Sequence, residues 1–148
     1  MTTNDSYLPI RACSPRKTAK ARGYPCELYD APMLVAFFKA FPRRHAVLSR
    51  KLGICTGDRP HDNHGDCEEK PDAEILAMLK VQATDPGLSG CTLVYWNHRP
   101  LTHGKWVRML REAGFDVIER RTLAEIKALV DPLPRASKQS ASSRRVTR

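Results

Sequence analysis

Two short segments hold the residue types that can do chemistry. The first, 97–105, brings together Asn97, His98, Arg99, Thr102, His103, Gly104 and Lys105. Arginine, lysine and threonine beside the free N–H groups of a helix start favour an anion, with phosphate the natural candidate. Histidine titrates near neutrality, so His98 and His103 are the candidate catalytic residues, as general acid or base on a nucleotide or phosphorylated substrate. Neither GxGxxG nor GxxxxGKS/T occurs, so no motif specifies a nucleotide. The second segment, Cys55-x5-His61-x2-His64-x2-Cys67, holds two thiols and two imidazoles, the ligand types of tetrahedral zinc. It lacks the paired short knuckles of a zinc finger. Asp58, Asp62, Asp66, Glu68 and Glu69 offer competing oxygen ligands, and the same acids make it a candidate contact for a basic protein partner.

The elements around 97–105 are legible. CTLVYW (91–96) is β-branched and aromatic, a buried strand, with Cys91 as a small buried hydrophobe. Thr102 is read as the cap of a helix with Trp106, Val107, Leu110 and Ala113 on its inner face, ending at Gly114. FDVIER (115–120) is a second strand. Thr122 and Glu125 match a reciprocal capping box that opens a last helix with Leu123, Ile126, Leu129 and Val130 on one face. A helical crossover between two strands predicts a parallel, right-handed pair. Ligands of such units sit where strands end and helices begin, which returns the reading to 97–105.

Residues 93–119, LVYWNHRPLTHGKWVRMLREAGFDVIE, resemble the last strand-helix-strand region of some class I S-adenosylmethionine-dependent methyltransferases. There an HRPL-like turn precedes a helix ending in Leu-x-x-Ala-Gly-Phe-x-Val. The resemblance implies an architecture and carries over no catalytic residue. The Gly-rich cofactor loop of that family has no counterpart in this chain.

Upstream, APMLVAFFKAF (31–41) reads as a buried helix started by Pro32 and interrupted by Pro42. RRHAVLSRKLG (43–53) reads as a second helix with a basic face of Arg43, Arg44, Arg50 and Lys51. AVLSRKLGI also resembles the first helix of a helix-turn-helix, but Pro60 and acidic residues follow where a recognition helix is required. Residues 55–71 read as a long acidic loop, and 72–83 as a helix capped by Asp72. Asp116 with Glu125 and Lys127 imitates a nuclease metal site, yet the capping box puts the last two on a helix, where they diverge.

The chain of 148 residues fits one domain. We expect an α/β fold, with α+β as the alternative, in a single small domain over 26–131. It comprises two N-terminal helices, a long acidic loop, a third helix and a C-terminal strand-helix-strand-helix unit. Tyr24–Tyr29 is a candidate to complete the sheet. Residues 1–25 are expected to be a flexible basic arm and 132–148 a flexible basic tail. Five cysteines at irregular spacing argue against a disulfide framework, and the absence of an apolar leader or spanning segment points to a cytoplasmic protein.

The net charge of +9 divides into +4 over residues 1–23 and +5 over 132–148, leaving 24–131 balanced. Basic ends make nucleic acid the expected partner, engaged through salt-sensitive phosphate contacts. Arg144, Arg145 and Arg148, with Arg43, Arg44, Arg50, Lys51, Arg108 and Arg111, are the candidate contacts of a small nucleic-acid-associated accessory or regulatory protein. An enzyme acting at the 97–105 loop is the alternative, and a protein-interaction module the third reading.

Overall fold

The computed structural model of the protein describes residues 6–13, 18–42, 44–63 and 70–131, with the backbone alone for Pro100–Thr102. In chain order the elements are β1 (Tyr7–Ala12), β2 (Arg22–Gly23), α1 (Pro25–Leu28), α2 (Pro32–Ala40), β3 (Ala46–Ser49), β4 (Gly53–Thr56) and β5 (His61–Asp62). There follow α3 (Asp72–Gln82), α4 (Pro86–Ser89), β6 (Thr92–Trp96), α5 (Pro100–Ala113), β7 (Asp116–Arg120) and α6 (Leu123–Val130). Five strands form one sheet in the order β4-β3-β1-β6-β7. β1 pairs in parallel with β3 and β6, and β6 with β7, while β4 closes one edge antiparallel to β3. β2 and β5 pair separately.

Helices cover both faces of this sheet. On one face α3 and α5 pack on Leu8, Ile10, Ala12, Leu48, Leu93 and Tyr95. On the other, α1, α2 and α6 pack on Val47, Val94 and Trp96. Neighbouring residues such as Val47 and Leu48 therefore serve opposite cores, as the alternation of a strand requires. The result is a single α/β domain.

The C-terminal unit follows its local signals. Gly114 closes α5 in the left-handed region (φ +112°), and Thr122 and Glu125 form the capping box of α6. α5 begins earlier than its sequence reading: Arg99 is the N-cap and Pro100 occupies the first turn, so Thr102 lies inside the helix. Proline's fixed φ suits that position. Asp72 likewise stands in the first turn of α3, behind the N-cap Pro71. α2 buries Leu34, Phe37 and Phe38 but leaves Met33 exposed, so it lies on the sheet with one side outward.

Four further sequence readings are corrected. Residues 43–53 are no helix: Ala46–Ser49 form β3, which turns into β4. All four residues of β3 are buried, and a strand covered on both faces is continuously apolar, like a buried helix. Ser49 Oγ accepts from the N–H groups of Lys51 and Leu52, and Gly53 takes the left-handed conformation (φ +79°) that closes the hairpin. Residues 1–25 are not an arm throughout, because Tyr7–Ala12 is the central strand. Tyr24–Tyr29 contributes α1 rather than a sheet strand, since Pro25 starts a helical turn in which Glu27 Oε1 accepts from Tyr24 N–H. Within the loop expected over 55–71, Thr56 ends β4 and β5 pairs with β2.

The free edge of β4 is covered by a side chain. Gln82 Oε1 accepts from Ile54 N–H at 2.8 Å and its Nε2 donates to Ile54 O at 3.1 Å, as a neighbouring strand would. Gln82→Ala is expected to cost about 1–2 kcal/mol by leaving both backbone groups unpaired. It should also promote concentration-dependent self-association through the opened edge, read by light scattering.

Candidate functional site at the carboxyl ends of β1 and β6

From β1 the chain passes through α1 and α2 on one face to reach β3; from β4 it returns through α3 on the other face to β6, on the opposite side of β1. Helices leaving in opposite directions open a crevice at the carboxyl ends of the two central strands. The β1–β6 register runs only to Ile10↔Tyr95, and beyond it side chains fill the gap. Ala12 N–H donates to Tyr95 Oη at 3.2 Å, and Tyr95 Oη lies 2.9 Å from His103 Nδ1. Arg11 Nη2 lies 3.3 Å from His98 Nδ1, and its guanidinium lies 5.1 Å from the Trp96 ring centre. The two imidazole rings are 5.6 Å apart.

Arg11 is the unusual residue here. It is 7% exposed, and its Nε has no hydrogen-bond partner among the described residues. Burial lowers its pKa, and the nearby Arg99 pushes the same way. A buried cation without a carboxylate partner is costly, and groups of this kind concentrate at functional sites. The cationic surroundings carry through to the histidines. Burial, then Arg11, His98, Arg99 and Arg50, push His103 down to about 4. Burial, Arg11 and Arg99 lower His98. Both rings are therefore neutral at pH 7.

The fold also sorts exposed charge. Arg50 and Lys51 follow β3, Arg99 follows β6, Arg120 ends β7 and Arg121 follows it, so the carboxyl-end rim of the sheet is basic. At the opposite rim Asp58, Asp85 and Asp116 interleave with Arg44 and Arg59. Arg11, Lys20 and Arg22, which a reading by segments assigns to an arm, belong to the folded domain.

Of the residues expected to bind an anion, Arg99 lies at the basic rim. Asn97 is 1% exposed and its Nδ2 donates to Glu119 at 2.8 Å, so its amide pins β6 to β7 instead. Lys105 pairs with Asp72 and lies over Trp106, and Gly104 sits within α5 with Arg108 beside it. The Thr102 side chain lies outside the described residues. The expected nucleic-acid residues are dispersed. Arg44 holds Tyr7 O and Cys91 at the far rim, and Arg111 pairs with Glu119 and Val117 O. Arg43, Arg144, Arg145 and Arg148 lie outside the described residues.

The four candidate zinc ligands are half accounted for. Cys55 is buried in β4, its thiol pushed up to about 12 by burial, and His61 Nε2 is 2.9 Å from Thr56 O. His64 and Cys67 lie outside the described residues, among which no group of three metal-ligating side chains occurs. Glu125 caps α6 with Oε1 and Lys127 reaches Ala40 O, so neither joins Asp116. Among the described residues no helix is long and apolar enough to cross a membrane.

Sequence reasoning missed Arg11, Tyr95 and Trp96 as site residues. Leu8, Ile10 and Ala12 alternate along 7–12 with the period of a strand, the one local signal that could have placed Arg11 in the sheet.

The lowered histidines predict an acid-sensitive fold. Unfolded histidine protonates near pH 6.5, whereas folded His103 does so at about 4, so between them the unfolded chain binds more protons. This stability is fully present above about pH 6.5 and lost as pH falls towards 4. His45 and His98, both lowered mainly by burial, act in the same direction. For His103 the loss is of order 1 kcal/mol after discounting for its partial exposure. Thermal unfolding across this range should show a falling midpoint, and His103→Gln should flatten the fall.

Comparison of the chain with protein-family models, with curated proteins and with solved structures finds no match.

Proposed function

We propose that this domain binds a phosphorylated small molecule or nucleotide at the carboxyl ends of β1 and β6. The observation that carries the reading is the buried Arg11, without a carboxylate partner among the described residues, beside His98 and His103 at the point where strand connections reverse. The basic rim formed by Arg50, Lys51, Arg99, Arg120 and Arg121 attracts an anion to it. Any reaction at this site would draw on charge stabilisation of a substrate oxyanion.

Calorimetric titration of the full chain with inorganic phosphate, pyrophosphate and nucleoside mono- and diphosphates tests this. Saturable one-to-one binding that weakens moderately with salt is the expected result. No binding of any member of the series would overturn it. A nucleic-acid-associated accessory role is the second reading, favoured by the same basic rim together with the basic sequence of 132–148. Under it, a single-stranded oligonucleotide should bind with a much steeper salt dependence than the small ligands, and deleting 132–148 should weaken it.

A further inference from the structure

Resting on the phosphate-binding reading, we infer that Arg11 and Tyr95 hold His98 and His103 as neutral Nε2–H tautomers. The pair would then bind a phosphoryl oxygen as hydrogen-bond donors rather than exchange protons with it.

For His98 the inference follows from the donor inventory. A guanidinium has only N–H donors, so the 3.3 Å contact with Arg11 Nη2 makes His98 Nδ1 the acceptor. A neutral imidazole carries one proton, which then resides on Nε2.

For His103 the inference runs through a buried hydroxyl. Tyr95 is fully buried, and its oxygen already accepts from Ala12 N–H. Its own proton has one acceptor among the described residues, His103 Nδ1 at 2.9 Å. The reverse arrangement, with His103 Nδ1–H donating, would strand a buried hydroxyl proton. His103 therefore also carries its proton on Nε2.

Both lone pairs are thus committed on the protein side. Each ring is only half-buried, and neither Nε2 has a partner among the described residues. The charged groups that act on the rings are Arg11 of β1, Arg50 of the β3–β4 turn and Arg99 before α5, all cationic. Tyr95, the other titratable group in contact with His103, is kept protonated by burial. Among the described residues, what remains for a ligand is a set of donors without a base. Such a set recognises an oxyanion, and a general base is what it lacks. Arg11 and Tyr95 are positioning residues for the histidines.

The test is a long-range proton–nitrogen spectrum of the full chain with labelled histidine at pH 7. His98→Gln and His103→Gln assign the two rings among the five histidines. Both rings should show the neutral Nε2–H pattern, and inorganic phosphate should shift both Nε2 resonances. Tyr95→Phe should release His103 alone, letting it sample both tautomers while His98 keeps its own. An Nδ1–H or imidazolium pattern in either wild-type ring overturns the inference, whatever the protein binds. So does calorimetric phosphate binding that leaves both Nε2 signals unmoved. If calorimetry shows no phosphate binding, the underlying reading of the site fails and the donor role falls with it. The wild-type spectrum decides the tautomers even if Tyr95→Phe does not fold.

Discussion

Replacing Arg11 with methionine is expected to weaken phosphate binding at least tenfold while leaving the protein as stable as before, or more stable. Arg11 stands in the central strand opposite Val47, and its guanidinium lies over the Trp96 ring and reaches His98 Nδ1. Among the described residues its compensation is weak: a 3.5 Å contact from Nη1 to Ala12 O, one hydrogen bond to His98, the Trp96 ring 5.1 Å away, and an Nε without a partner. Removing a buried charge entirely, in favour of an apolar side chain of similar length, is often neutral or stabilising by about 1–4 kcal/mol. The binding side has the opposite sign. Loss of a buried cation facing a phosphate should weaken affinity by at least tenfold, about 1.4 kcal/mol or more. Calorimetric titration and thermal unfolding of the same preparation separate the two. Unchanged affinity would place the anion elsewhere, and a large fall in stability would make Arg11 a structural residue.

Phe37→Ala carries the largest expected effect on stability, a loss of about 3–5 kcal/mol. Phe37 is fully buried on α2, in edge contact with Phe41 and His45 and stacked 6.1 Å from Trp96 at 18°. Its removal leaves a cavity between α2 and the sheet that backbone elements on both sides keep from closing. For a domain of this size the unfolding midpoint should fall by roughly 10–15 °C. The change reaches the site as well. Trp96, one side of which meets Phe37, is the ring over which Arg11 lies and is otherwise fixed by its indole N–H to Arg121 O at 3.1 Å. At temperatures where the variant is still folded, anion affinity should therefore weaken. A midpoint within about 3 °C of the parent would show that the aromatic cluster is not the keystone of that face.

The two variants divide the molecule along the line between local and long-range information. The C-terminal unit was legible because a few neighbouring residues settle each boundary. Gly114 permits the positive φ that ends α5, and Thr122 with Glu125 reciprocally satisfies the free N–H groups that open α6. The β-branched and aromatic residues of 92–96 mark a strand wherever it packs. Parallel pairing of β6 with β7 follows from the helix between them.

The middle of the sheet could not be read in the same way. Ala46–Ser49 is buried on both sides, so its periodicity is erased and its apolar run suits a helix equally well. Tyr7–Ala12 contains Pro9 and Arg11, residues that speak against a central strand in isolation. Pro9 stands ahead of the β1–β3 pairing, which begins at Ile10↔Ala46, and Trp96 and His98 receive the Arg11 guanidinium.

The site divides likewise. The sequence by itself pointed to the turn after β6 and named His98, His103 and Arg99, because the end of a strand before a helix is a local feature. What surrounds those histidines is decided by tertiary structure. His98 meets Arg11 across a sequence separation of 87 residues, and Ala12 meets Tyr95 across 83. No spacing motif reports contacts of that range. Burial, tautomer and the surrounding charge arise only when β1 is laid between β3 and β6, so the sequence could name the imidazoles and only the fold could arrange them as donors.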